Sequence, residues 1–204
     1  MEERKRRVGI MGGTFDPIHV GHLIIAETVR EALALSEVLF IPASIPPHKP
    51  DQPVMAAEHR LVLVKLATNS NPFFRVLDIE FRRKGPSYSY DTLKALIQEY
   101  GRQQEFCFII GGDEVNSILS WYRAEELFSL CHFAAAKRQG SPISLSEIRK
   151  KFGDAALSRI HLVTTPELEI SSTDIRRRLQ EGRSIRYLVP EEVEAYIYKE
   201  GLYQ

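Results

Sequence analysis

Apolar and polar positions along this chain switch between two periods. Val8-Gly9-Ile10-Met11 is a short apolar run and predicts a buried strand. Helical spacing starts at about Gly21, where Leu23, Ile24, Ala26 and Val29 give one apolar face, and the amphipathic pattern continues to Leu35. Glu37–Pro42 predicts a second strand, and four prolines from Pro42 to Pro50 then hold the chain extended. Met55–Asn69 predicts a helix with Leu61, Val64 and Leu66 toward the core, and Phe73–Phe81 alternates like a strand. A helix runs to Tyr100, with Ser89 or Asp91 as its N-cap. Strands follow at Glu105–Ile110, Phe133–Ala136 and Ile160–Val163, with a charged helix at Leu145–Phe152. Ser171-Ser172-Thr173 opens another helix, and Pro190 starts a last one that stops at Gly201. Strands alternate with helices throughout, which predicts an α/β fold with a parallel sheet covered on both faces. The doubly wound, Rossmann-like arrangement is the expected form. No linker or repeat divides the 204 residues, so one domain is expected over 1–204, with a helical extension at about 183–204 packed on it.

Charge narrows the function. The 27 basic and 27 acidic residues cancel, so the chain lacks the basic field of a general nucleic-acid binder. An apolar fraction of 44% and a charged fraction of 26% suit a soluble globular protein. Two cysteines give no disulfide framework and suit a reducing cytoplasm. Met1–Arg7 is charged and is not followed by a long apolar core, so neither a signal peptide nor a membrane span is expected. Neither Gly-x-Gly-x-x-Gly after the first strand nor Gly-Lys-Ser/Thr anywhere is present, so a nucleotide would be held by another route.

The candidate chemistry collects where strands end. Gly12 and Gly13 remove side chains there, and Thr14, Asp16, His19 and His22 crowd polar groups into one turn before a helix. Both imidazoles could sit at that helix's amino-terminal mouth and donate to phosphate oxygens. A metal pair or two surface histidines are the alternatives; Cys107 and Cys131 lie in isolated apolar contexts and do not complete a metal set. Gly111-Gly112-Asp113 repeats the strand-to-small-residue pattern, and its aspartate suits a ribose, a metal or a helix cap. Ser171, Ser172, Thr173 and Arg176 either cap a helix or form a polyphosphate clamp. His48 and Lys49 in the proline-rich loop are either solvated bases or cleft residues, and Trp121 is either core or a stacking surface for a flat ring.

The run Gly12-Gly13-Thr14-Phe15-Asp16-Pro17-Ile18-His19-Val20-Gly21-His22 resembles the signature of the His-x-Gly-His nucleotidyltransferases. Ile170-Ser171-Ser172-Thr173-Asp174-Ile175-Arg176 resembles their second nucleotide motif. Pro46-Pro47-His48-Lys49, Ser87-Tyr88-Ser89 through Asp91-Thr92-Leu93, Gly111-Gly112-Asp113, Trp121-Tyr122 and the end through Gly201-Leu202-Tyr203 resemble the bacterial nicotinate-nucleotide adenylyltransferases. Ser89 stands where many relatives have threonine, and Lys137-Arg138-Gln139-Gly140 lacks the proline that often follows the arginine. The resemblance implies transfer of AMP from ATP to nicotinate mononucleotide, with Mg²⁺ bridging phosphate oxygens rather than held by protein ligands. It implies catalytic roles for His19, His22 and Arg176. ATP would meet Gly12, Gly13, Thr14, Phe15, Gly111, Asp113, Ile170, Ser171, Ser172 and Thr173. The acceptor would meet Lys49, Ser89, Thr92, Trp121, Tyr122 and Arg138, its pyridine stacking on Trp121. Partners would be these small molecules, not nucleic acid or membrane, with a homo-oligomer left open. Rival readings are the nicotinamide form of the acceptor, a phosphopantetheine acceptor and a non-catalytic nucleotide sensor.

Overall fold

The computed structural model describes residues 6–47, 54–101, 103–138 and 143–204. Six strands, β1 (Arg6–Gly13), β2 (Glu37–Pro42), β3 (Phe74–Val76), β4 (Gln104–Gly111), β5 (His132–Arg138) and β6 (Ile160–Thr165), form one sheet. Its order is β3-β2-β1-β4-β5-β6 and every pairing is parallel. This is the Rossmann-like doubly wound arrangement. The order reverses between β1 and β4, and the crevice at their carboxyl ends is where such sheets bind ligands.

Side chains alternate across the sheet. Val38 and Phe40 join Ala26 and Val29 of α1 (Val20–Ala32), Leu63 of α2 (Ala57–Thr68), Ile175 of α6 (Ser172–Gln180) and Val193 and Ile197 of α7 (Glu191–Lys199) in one core. Leu39 and Ile41 join Leu93 and Leu96 of α3 (Ser89–Tyr100), Leu127 of α4 (Ala124–Leu130) and Ile148 of α5 (Ser146–Leu157) in the other. Each face thus has its own apolar layer, and the strands need no polar face.

Four expectations are corrected. Helix α1 ends at Ala32, not Leu35: Ala34 takes φ +51 and Leu35 N–H returns to Arg30 O at 2.8 Å, folding Leu35 into the core. The strand expected over 73–81 stops at Val76, and Ile79–Arg82 forms a 3₁₀ turn that buries Ile79 and Glu80. The buried face of α2 carries Arg60, Leu63, Val64 and Ala67, so Leu61 and Leu66 are only half-buried. The N-cap of α3 is Tyr88, making Ser89 the first helical residue. Elsewhere the boundaries shift little, although α5 is longer than expected and kinks at Gly153 (φ +76).

Candidate active site

The turn from Gly12 to His22 joins β1 to α1 at the crevice. A Cβ on Gly12 would meet nothing within 4 Å, so this backbone borders open space. A Cβ on Gly13 would touch the Phe15 ring at 3.2 Å. Phe15, at φ +50 and 3% exposed, turns its ring inward against Phe40 and sets its edge to His22, with centroids 5.2 Å apart. Only its backbone is available to a nucleotide. Gly21 has a packing reason as well: a Cβ there would lie 3.0 Å from His19 Nδ1.

His19 and His22 stack at 3.7 Å. His19 N–H donates to His22 Nδ1 at 3.2 Å, which leaves the His22 proton on Nε2. Burial pushes the His19 pKa down to about 4 and that of His22 to about 3, the latter helped by a charge on His19. Both rings are therefore neutral at pH 7. His19 Nδ1 is buried and has no partner among the described residues, a state that a bound ligand would relieve.

The signs predict a pH effect on stability. The unfolded histidines titrate near 6.5, so below that pH the unfolded chain binds more protons than the folded one. Stability is expected to fall as pH drops from about 6.5 toward 4. Thermal midpoints at pH 7.5 and 5.0 check this: the double variant His19→Asn/His22→Asn should lose less than the wild type, and equal losses would refute it.

Helix α6 brings the second motif to the same place. Ser172 Oγ donates to Pro17 O at 2.8 Å, and Arg176 Nη1 donates to Asp16 O at 2.7 Å. The three hydroxyls do not form a free clamp. Ser171 Oγ caps α6 by accepting Asp174 N–H at 3.1 Å, Ser172 holds the turn, and Thr173 accepts from Arg176 Nη2 at 3.4 Å. The helix's first N–H groups and the Arg176 guanidinium are the parts of this motif that could hold an anion. Ile170 packs partly buried against the core and lies 4.0 Å from the position of a Gly21 Cβ.

Sequence reasoning missed what supports this mouth. Asp16 is 4% exposed; its Oδ1 accepts from Tyr203 O–H at 2.8 Å and Met55 N–H at 3.3 Å, and its Oδ2 lies 3.8 Å from Arg176 Nη1. Burial of the Tyr203 hydroxyl, and then the Asp16 carboxylate beside it, push its pKa up. Arg60 was also missed, although a charge in register with Leu63, Val64 and Ala67 is a legible signal of a buried, bonded arginine.

On the other side of the switch point, Gly112 is demanded by packing, since a Cβ would meet Ala136 O at 2.8 Å. Gly111 ends β4 and Asp113 sits in the 3₁₀ turn (Gly112–Ser120) that leaves it. Trp121 follows, its ring edge-on to Phe108 and Phe133 at 6.2 and 6.1 Å, with Nε1 donating to Ser117 Oγ at 3.2 Å. Tyr122 is 49% exposed and its ring lies 4.9 Å from that of Tyr88. The start of α3 at Ser89 and the Trp121-Tyr122 turn are thus brought together. Thr92 is corrected as a contact residue: it is 2% exposed and its hydroxyl donates to Glu80 Oε1 at 2.5 Å. Arg138 ends β5. Lys49, with His48, lies outside the described residues.

Comparison with known proteins places these features in context. A cytidylyltransferase-like family model matches residues 10–178. A protein of Thermoanaerobacter sp. (strain X514) named probable nicotinate-nucleotide adenylyltransferase is 49% identical, over 99% of this chain and 96% of its own. One of the same name from Moorella thermoacetica is 48% identical, over 98% and 93%. Among solved structures, a Plasmodium falciparum nicotinic acid mononucleotide adenylyltransferase complexed with NaAD superposes with a TM-score of 0.78 at 24% identity, covering 97% of each chain. That likeness bears on the fold.

Proposed function

The chain belongs to the cytidylyltransferase-like family, and from that premise we propose that it is a nicotinate-nucleotide adenylyltransferase. It transfers AMP from ATP to nicotinate mononucleotide, giving nicotinate adenine dinucleotide and pyrophosphate. The observation that carries this reading is the stitching of two separate phosphate motifs, Ser172 to Pro17 and Arg176 to Asp16, beside two neutral histidines, His19 buried and His22 half-buried.

A phosphate oxygen of the acceptor attacks the α-phosphorus of ATP. The bond to the β-phosphate breaks, and pyrophosphate carries away the electron pair. The protein positions the two reactants and offers donors where charge gathers. His22 Nε2–H and His19 are assigned to the phosphate that reacts. Arg176, the N–H groups at Ser172 and Thr173, and the turn at Gly12–Phe15 are assigned to the rest of ATP, with Gly111 and Asp113 toward adenosine. Mg²⁺ enters with ATP as part of the substrate. Ser89 and Tyr122 N–H groups receive the acceptor's carboxylate, Trp121 its ring, and Lys49 and Arg138 its phosphate. Val193, Ile197 and Leu202 in the first core support reading residues 183–204 as an extension of one unit. No helix of the described residues is long and apolar enough to cross a membrane; we place the enzyme in the cytoplasm and leave self-association open.

Pyrophosphate release from ATP and Mg²⁺ with a panel of nicotinate mononucleotide, nicotinamide mononucleotide and phosphopantetheine tests the reading. Release with the first is expected, and silence with all three would fit a nucleotide sensor instead. A narrower check is Trp121→Ala. It should raise KM for the acceptor and leave KM for ATP nearly unchanged, while the lost contacts to Phe108 and Phe133 lower the melting temperature. A shift in the ATP constant alone would put Trp121 in the wrong pocket.

A further inference from the structure

Two charged side chains are buried beneath the site without being assigned to either substrate. Arg60 on α2 is 1% exposed, and Glu80 in the turn after β3 is 6% exposed. Arg60 Nη1 donates to Thr14 O and to Ala43 O at 2.7 Å each. Its Nη2 donates to Ser44 O at 3.2 Å and its Nε to Met55 O at 2.8 Å. One planar guanidinium thereby joins the turn after β1, the segment after β2 and the entry to α2. A fork of fixed N–H directions sets the spacing of these backbones in a way a flexible ammonium does not.

Glu80 reaches the same segment from the turn after β3. Thr92 Oγ1 donates to Glu80 Oε1 at 2.5 Å, Glu80 Oε2 is buried with no hydrogen-bond partner among the described residues, and the Ser87 hydroxyl and the Ser44 backbone favour the charged carboxylate. Ile45 N–H donates to Ser87 Oγ at 3.3 Å, and Ser87 N–H donates to Ile45 O at 2.9 Å. The segment is therefore held from two sides in sequence: Arg60 takes the Ala43 and Ser44 carbonyls, and Ser87 takes both the amide and the carbonyl of Ile45. Ser87 in turn lies just before the start of α3 at Ser89.

We propose that Arg60 and Glu80 are positioning residues of the transfer reaction. Arg60 sets the distance between the nucleotide turn and the acceptor loop, and Glu80 couples that loop to the helix start that receives the acceptor's carboxylate. The inference rests on the function proposed above. It also separates the two residues: Arg60 touches the supports of both substrates, whereas Glu80 touches only the acceptor's.

Steady-state kinetics with both substrates varied, on wild type, Glu80→Gln and Arg60→Lys, test this. Glu80→Gln should raise KM for nicotinate mononucleotide by about tenfold, narrow the acid-over-amide preference severalfold and leave KM for ATP within about twofold. Arg60→Lys should lower kcat by about tenfold or more with both substrates saturating, because the near-attack spacing is lost. A merely structural role would lower melting temperature and active fraction without splitting the constants. The proposal is overturned by Glu80→Gln moving both KM values together or neither, or by Arg60→Lys keeping its kcat. Should Glu80→Gln not fold, Thr92→Val removes the hydroxyl from the carboxyl and Ser87→Ala removes the one that holds Ile45 N–H. They should raise the acceptor KM alone, and unchanged constants overturn the proposal. Wild type that makes no dinucleotide overturns the parent reading, whereas active wild type with unmoved variants overturns this inference only.

Discussion

Replacing His22 by alanine is expected to lower kcat by about 100-fold or more while ATP binding weakens far less. The argument rests on the ring's orientation and charge. His19 N–H occupies His22 Nδ1 at 3.2 Å, so Nε2 carries the hydrogen and is a donor. Burial holds the ring neutral, with its pKa pushed down to about 3. A fixed N–H dipole of this kind stabilises charge that grows during transfer without reorganising at the moment of reaction. On the proposed assignment the triphosphate is also held by Arg176 and the first turn of α6, so the loss is expected to fall on the transition state. The measurement is kcat beside the Kd of a non-hydrolysable ATP analogue, with a melting curve to establish folding. Near-normal turnover in folded His22→Ala would remove the residue from the mechanism.

Nicotinate mononucleotide is expected to react at least roughly ten- to a hundredfold faster, in kcat/KM, than nicotinamide mononucleotide. The two acceptors differ by a carboxylate against a neutral amide. The start of α3 presents N–H groups whose first helical bond is made only at Thr92 N–H, to Tyr88 O at 3.1 Å. The ring contact between Tyr88 and Tyr122 brings the second candidate donor to the same side. A carboxylate satisfies such donors with charge-assisted bonds, about twice as strong as neutral ones. An amide turns its own NH₂ toward a donor, and an unmatched buried polar group costs about 1–3 kcal/mol. Equal values for the two acceptors, or a preference for the amide, would mean that Ser89 and Tyr122 do not form the carboxylate pocket.

The strand, turn and helix from Val8 to Val29 were legible because each part carries its own local signal: an apolar run, two glycines and helical spacing. The second motif was legible for the same reason. What failed was phase and partnership. In α2, choosing Leu61 and Leu66 by residue type put the helix out of phase, since its buried face runs through Arg60, Leu63, Val64 and Ala67. At Thr92 the residue type fitted a contact role, yet its hydroxyl meets Glu80 from a turn that alternation had disguised as strand. Tyr203 was read as part of a tail motif, and its role appears only when the fold brings it onto Asp16. Bonds between distant positions leave no periodic trace, so pattern reading recovers the elements and misses the struts between them.

Those struts have a bearing on how the protein is made. The turn that holds His19 and His22 is built from sequence neighbours, but Arg176 lies 160 residues after Asp16 and Tyr203 lies 187 residues after it. Loop closure across such separations comes late in folding. A nascent chain can form β1 and α1 and still lack the guanidinium and phenol that fix Asp16. Competence is therefore acquired only once Arg176 and Tyr203 have docked, and a chain truncated before Arg176 is expected to form β1 and α1 without fixing Asp16.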